Sequence, residues 1–310
     1  MGCGHARALP MADSSMPPGR APTDRAPPPR MMRCRALRED AARAVGADPD
    51  SFALSPLPGF ALDAVAAELT SSNFCVLDEL LGPVTCAALR REVVGARAAG
   101  ALVPSKVGGG RVESELQRVE AAARGDHVGW FTGAEQDLWP SGSLGSFLER
   151  IDALVVQLGE RIEALAGVAA RSKAMVTCYP GGGARYVKHV DNACSAGEGE
   201  HCNGRRLTAI LYLNEGWRPD DGGELRLHAP YASAEMPPLA DVPPTADRLV
   251  LFWSDARVPH EVLPSRTDRF AITAWYFDEA EHTRARARQP SGSVEPEGVR
   301  LRAMEQPTET

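Results

Sequence analysis

Apolar positions along the chain fall into two regimes. From Leu144 they recur at Phe147, Leu148, Ile151, Leu154, Val155, Leu158, Ile162 and Leu165, in steps of mostly three and four residues. That spacing lays one apolar stripe along a 3.6-residue repeat and predicts a long amphipathic helix. A second helix is predicted over 84–98, after the break at Gly82-Pro83, and the apolar run 74–77 ahead of it reads as a strand. Beyond the long helix the pattern changes. The stretches 175–179, 186–190, 207–213, 224–228, 248–253 and 270–277 are short and rich in β-branched and aromatic residues, with Gly, Pro, Asn and Asp between them. Such runs are strands separated by turns. Two early helices followed by many strands predict an α+β chain, with helices packed outside a β-sandwich or barrel.

Composition narrows the function classes. Of 310 residues 44% are hydrophobic and 24% charged, enough to build a core and too apolar for wholesale disorder. The net charge of -7 is ill suited to coating a phosphate backbone, so nucleic acid is not an expected partner. The most apolar long stretch, 151–170, is interrupted by Asp152, Glu160, Arg161 and Glu163, so no membrane span is expected. The seven cysteines are odd in number and form no C-x-x-C pair, which argues against a dense disulfide framework or a zinc finger of usual spacing. A cytoplasmic or nuclear location follows. Seven prolines in the first 30 residues, among Arg and small residues, read as a disordered tail, with a transit peptide as the alternative. The expected organisation is a Pro/Arg-rich tail over 1–50, one catalytic domain over 51–280 with its barrel core at about 173–278, and a polar tail over 281–310.

The candidate chemistry begins with histidine. In a strand, residues two apart share a face, so His189 and Asp191 would present an imidazole and a carboxylate together. His260, placed by a turn at Pro259 after the apolar strand 249–253, is the candidate third ligand. Two His and one carboxylate with open positions suit non-haem Fe(II). A strand-end pair that merely makes hydrogen bonds is the other reading of the same residues. Arg269, nine residues after His260 at the head of a strand, offers a guanidinium fork for the remote end of a dicarboxylate, or else a surface ion pair.

The segments MVTCYPGGGARYVKHVDN, LTAILYLNEGW, DGGELRL, DRLVLFWSDARVPHEV and RFAITAWYFD, in this order, resemble the hypoxia-inducible-factor prolyl hydroxylases. These are Fe(II)- and 2-oxoglutarate-dependent dioxygenases. The resemblance runs from about Phe74 to Asp278 and is densest from Lys173 onward. It implies a double-stranded β-helix, or jelly roll, with buttressing helices between disordered tails. It implies that His189, Asp191 and His260 bind iron, and that Arg269 and Tyr212 hold the side-chain carboxylate of 2-oxoglutarate. Tyr179, on the metal side, Thr273 and Trp275 match further pocket positions, although barrel core would explain Tyr212 and Trp275 equally well. Arg124-Gly125-Asp126, followed by Trp130, matches the end of a finger loop that closes over the protein substrate, with Asp126 paired to Arg205; a solvated charge pair is the alternative.

The turn between Asn192 and Arg205 is longer than the family's and carries Cys194, His201 and Cys202. It reads as an acidic loop, against a redox-sensitive pair or a metal site. The glycines of Val107-Gly108-Gly109-Gly110 also depart from the animal enzymes, which bears on substrate identity. The expected activity is hydroxylation of a prolyl residue in a protein to 4-hydroxyproline, with succinate and CO2 as co-products and a role in oxygen sensing. Fe(II), 2-oxoglutarate and O2 are required, ascorbate is the expected reductant, and the protein is expected to be a monomer. A non-catalytic scaffold for proline-containing peptides and an oxygenase of another substrate class are the competing functions.

Overall fold

Arg269–Asp278 is the longest strand, and all of it but the last residue is buried. A strand covered on both faces belongs in the middle of a sheet, and this one pairs with one strand over 271–277 on one side and with two others, over 269–273 and 276–278, on the opposite side. In the computed structural model, residues 29–46, 56–105, 124–194, 202–232, 236–288 and 298–301 are described. The helices are α1 (Cys34–Ala44), α2 (Gly59–Ser72), α3 (Pro83–Ala98), α4 (Ser143–Gly159) and α5 (Glu279–Arg288). The early strands are β1 (Met31–Arg33), β2 (Phe74–Asp78), β3 (Val103–Pro104), β4 (His127–Phe131), β5 (Val168–Arg171), β6 (Ala174–Tyr179) and β7 (Ala184–His189). The later ones are β8 (Arg205–Tyr212), β9 (Leu225–Leu227), β10 (Ala240–Val242), β11 (Arg248–Trp253), β12 (His260–Ser265), β13 (Arg269–Asp278) and β14 (Val299–Arg300).

The large sheet runs β1-β2-β11-β8-β13-β6-β4-β3, with β5 on β13 and β14 on β5. A smaller sheet runs β10-β9-β12-β7. All the pairings except β1 with β2 are antiparallel. The two sheets make the double-stranded β-helix, and helices buttress the larger one: α2 contacts β2, and α3 and α4 contact each other. Trp253 Nε1 donates to the Leu69 carbonyl at 3.1 Å, tying α2 to β11. Arg248 grips Asp78 through Nε (2.6 Å) and Nη2 (2.9 Å), tying β2 to β11.

Three expectations are corrected. The predicted long helix stops at Gly159; Ile162 is extended and Leu165 closes a short 3-10 turn. The chain folds back so tightly that a Cβ on Gly159 would lie 3.2 Å from the Leu165 carbonyl oxygen, so the apolar stripe continues in packing but not in helix. The tail expected over 1–50 holds two elements: β1 pairs in parallel with β2, and α1 buries Cys34, Arg38 and Ala42, each four residues apart. The polar tail expected from Glu281 contains most of α5, which buries Glu281, His282 and Ala285, and β14, which pairs with β5. Both segments are too polar to show an apolar stripe and are held by tertiary contacts. Residues 1–28, the loop 106–123 with its glycines, and 195–201 of the long turn lie outside the described residues. Among the described residues no helix is long and apolar enough to cross a membrane.

Candidate active site

The inward face of the large sheet is set by strand alternation. Arg269, Ala271, Thr273 and Trp275 of β13, Thr177 and Tyr179 of β6, and Thr208 and Ile210 of β8 line one cavity of about 160 Å³, each set spaced by two residues as a pleat requires. His189, Tyr186, His260 and Val262 of the smaller sheet close its other side.

One end of the cavity holds the histidines and a carboxylate. His189 ends β7 and His260 begins β12, and the two are directly paired in the ladder. His260 therefore heads a strand of its own in the smaller sheet, after the turn that follows β11. Asp191 lies just past the end of β7. Its Oδ1 is 3.8 Å from His189 Nε2 and its Oδ2 is 3.7 Å from His260 Nε2. One ligand atom from each of the three residues lies within 4.8 Å of the others. Nδ1 of His189 meets the Val187 carbonyl at 2.8 Å and Nδ1 of His260 meets the Val258 carbonyl at 3.0 Å. A carbonyl only accepts, so each Nδ1 carries the proton and each Nε2 lone pair is left for an ion. Burial, reinforced by neighbouring His260, holds the pKa of His189 down at about 3, so the imidazole is neutral as a metal ligand must be. Thr208 Oγ1 donates to Asp191 Oδ2 at 2.7 Å and is itself in contact with Ser254 Oγ at 2.8 Å, which fixes the carboxylate. The donor set, its tautomers and its spacing fit Fe(II).

The other end is basic. Arg269 is 4% exposed. Its Nε donates to the Gly223 carbonyl at 2.6 Å, and its guanidinium lies 4.9 Å from the Tyr212 ring and 5.0 Å from the Tyr179 ring. No carboxylate among the described residues pairs with it. Among the described residues Tyr212 Oη is buried without a hydrogen-bond partner. A buried guanidinium and a buried hydroxyl left this way are costly, and the carboxylate of a small dicarboxylic acid would satisfy both. Gly223 makes the approach possible: at φ +75° its Cβ would lie 2.9 Å from Arg269 Cδ. Tyr179, expected toward the metal, is the cross-strand partner of Arg269.

At the mouth, the Arg205 guanidinium lies 3.9 Å from the Trp275 ring, and Trp130, 42% exposed, packs on Trp275 with centroids 5.7 Å apart. The expected Asp126–Arg205 pair is replaced by a local one. Asp126 is gripped by Arg124 through Nε (2.7 Å) and Nη2 (2.9 Å) and accepts from Ser105 Oγ at 2.5 Å. Arg124 is two residues away and already in reach, and its guanidinium covers the Tyr186 ring, which stacks on His189 with centroids 3.8 Å apart. Sequence reasoning passed over Arg124 as a partner, Tyr186, Thr208 and Gly223. Only the strand alternation of Thr208 with Ile210 and Tyr212, and the paired glycines of DGGELRL, carried any signal for them. His228 does not join the two site histidines and contacts Glu261 at 3.0 Å.

The fold and this site define a 2-oxoglutarate- and Fe(II)-dependent oxygenase, and the family described as the 2OG-Fe(II) oxygenase superfamily matches residues 174–277. The chain is 38% identical over 231 residues to human prolyl hydroxylase EGLN3, covering 74% of this chain and 89% of that protein. A prolyl hydroxylase from Trichoplax adhaerens, solved in complex with a hypoxia inducible factor oxygen degradation domain peptide fragment, aligns with a TM-score of 0.61 and 30% identity over 73% of this chain and 93% of its own. A Pseudomonas putida prolyl-4-hydroxylase aligns with a TM-score of 0.56 and 28% identity over 70% and 99%. The chain belongs to the hypoxia-inducible-factor-type prolyl hydroxylase family.

Proposed function

We propose that this protein is a prolyl 4-hydroxylase acting on a proline-containing segment of a protein, with Fe(II) as cofactor and 2-oxoglutarate and O2 as cosubstrates. The observation that carries the reading is the polarity of one cavity: two histidines and an aspartate at one end, and at the other a buried arginine that no carboxylate among the described residues pairs with. His189, Asp191 and His260 would hold the iron, their Nδ1 protons kept on the Val187 and Val258 carbonyls and Asp191 oriented by Thr208. Arg269 and Tyr212 would take the side-chain carboxylate of 2-oxoglutarate, with Tyr179 and Thr273 shaping the space between. Iron bound here supplies O2 activation, coupled to conversion of 2-oxoglutarate to succinate and CO2 and to insertion of one oxygen into a C–H bond. The apolar side chains of the two sheets exclude water from that chemistry.

The mouth supports a protein substrate. Trp130, packed on the buried Trp275, offers flat apolar surface to a pyrrolidine ring, with the Arg205 guanidinium beside it. Asp126 belongs to this reading as the anchor that sets Arg124 over Tyr186. Ascorbate as reductant, a monomeric state, a cytoplasmic or nuclear location and a role in oxygen sensing complete the proposal.

The test is anaerobic loading with Fe(II) and 2-oxoglutarate, followed by O2 and candidate proline-containing proteins, with mass spectrometry of the products. One added oxygen on a proline, absent with His189→Ala, is the expected result. Succinate release without a modified protein would point to another substrate class, and bound iron with neither product would leave a binding scaffold.

A further inference from the structure

Asp191 lies beyond the last paired residue of β7, so the β7 ladder does not fix its backbone, although Thr208 of β8 donates to its carboxylate. What holds that backbone is a short clasp between the chain leaving β7 and the chain entering β8. Asn203 Nδ2 donates to the Asp191 carbonyl at 2.8 Å, and the Asn203 amide donates to Asn192 Oδ1 at 3.2 Å. Asn192 Nδ2 donates to the Arg205 carbonyl at 2.8 Å and to Glu281 Oε1 of α5 at 3.0 Å. The same two chain segments are joined covalently by a disulfide between Cys194 and Cys202, both buried. The other described cysteines, 34, 75, 86 and 178, are free and buried. The turn read from sequence as an acidic loop is therefore closed at its base by a covalent bond, eight residues apart in sequence.

We propose that Cys194–Cys202 is a reversible thiol–disulfide exchange site that sets the affinity of the iron site through Asp191. With the bond intact, breaking the Asn192 and Asn203 hydrogen bonds releases little chain freedom, because the two segments stay tethered. With the bond reduced, the same rupture lets the two segments separate, and the backbone that carries Asp191 is no longer held where Thr208 meets its carboxylate. The exchange partner is a low-molecular-weight thiol of the glutathione class. Two such thiols give up two electrons and two protons to the cysteine sulfurs; the Cys194–Cys202 bond breaks, a new disulfide forms between the two small thiols, and both cysteines leave as thiols. The inference rests on the reading of His189, Asp191 and His260 as the metal site.

The experiment uses the metal-free full chain and Mn(II) as a redox-inert probe, with affinity read by electron paramagnetic resonance of the free ion. Oxidised protein is compared with protein reduced by a phosphine, and both with Cys194→Ser/Cys202→Ser in the same two conditions. Reduction is expected to weaken Mn(II) binding about 10- to 100-fold, the range for loss of support to a metal ligand. The double variant is expected to bind weakly in both conditions, which separates this pair from the five other cysteines of the chain. Equal affinity in oxidised and reduced wild-type protein overturns the proposal, as does a double variant that binds like the oxidised form. The wild-type comparison needs no substitution and stands even if the variant folds poorly. Absence of Mn(II) binding in the oxidised protein would instead sink the metal-site reading itself.

Discussion

Arg269 is where charge, burial and function meet most sharply, and Arg269→Lys tests the reasoning. The native guanidinium spends Nε on the Gly223 carbonyl at 2.6 Å and rests between two tyrosine rings at 4.9 and 5.0 Å, which leaves its terminal nitrogens for an incoming carboxylate. Lysine keeps the charge but cannot donate to Gly223 and to both carboxylate oxygens from one rigid plane. The loss of one charge-assisted hydrogen bond and of the fixed orientation amounts to about 1–3 kcal/mol, or roughly 5- to 150-fold in Kd. Calorimetric titration of 2-oxoglutarate into Mn(II)-loaded protein measures it directly. Arg269→Met supplies the complementary arm. It removes a buried charge that has no counter-ion, so the cosubstrate-free protein should gain about 1 kcal/mol or more while 2-oxoglutarate binding disappears. Native-like 2-oxoglutarate affinity in Arg269→Lys, or a large loss of cosubstrate-free stability in Arg269→Met, would refute the assignment.

Tyr212→Phe removes a buried hydroxyl that has no partner in the cosubstrate-free protein. Its thermal stability should hold or rise, and 2-oxoglutarate should bind about tenfold more weakly, as the loss of one hydrogen bond to a charged group predicts. Gly223→Ala would place a methyl 2.9 Å from Arg269 Cδ at a φ of +75°, so a stability loss of about 1–3 kcal/mol in urea unfolding and weaker cosubstrate binding are expected together. His189→Ala should abolish Mn(II) binding while the circular dichroism spectrum stays native, because His189 ends its strand and makes no ladder pairing that its imidazole supplies. Burial holds the Asp247 carboxyl up at about 6 from an ordinary 3.8. The folded protein therefore binds this proton more tightly than the unfolded chain, and the contribution of Asp247 to stability, full below about pH 4, falls by about 3 kcal/mol as the pH rises to about 6. Asp247→Asn should flatten that part of the stability profile; an unchanged slope in urea unfolding would contradict it.

Sequence by itself was decisive wherever a local repeat or a local chemical need dictates the answer. The three- and four-residue stripe of α4, the apolar strand runs of β2, β6, β8, β11 and β13, and the H-x-D spacing followed by His260 and Arg269 could all be read along the chain. So could the turn after β7, although not its state, since whether two cysteines bond depends on how closely the folded chain brings them. The stop of α4 at Gly159 was hidden because an apolar stripe continues past a helix end whenever the next turn packs on the same core. The segments β1, α1, α5 and β14 were hidden for the opposite reason: they are polar, and their order comes from partners far away in sequence, such as Val76 against Met31 and Arg171 against Val299. Asp126 was legible as a charge needing a partner, but the choice of Arg124 over Arg205 was made by which guanidinium the folded chain brings within reach. The same holds for the cavity. Alternation tells which side of a strand Thr208, Tyr212 and Arg269 share, but only the closing of two sheets on each other removes water from that face and leaves, among the described residues, the Arg269 charge without a carboxylate and the Tyr212 hydroxyl without a hydrogen-bond partner. Burial of polar groups is a property of the whole fold, and it is that burial, more than the identity of the residues, that makes the site bind an anion at one end and a metal at the other.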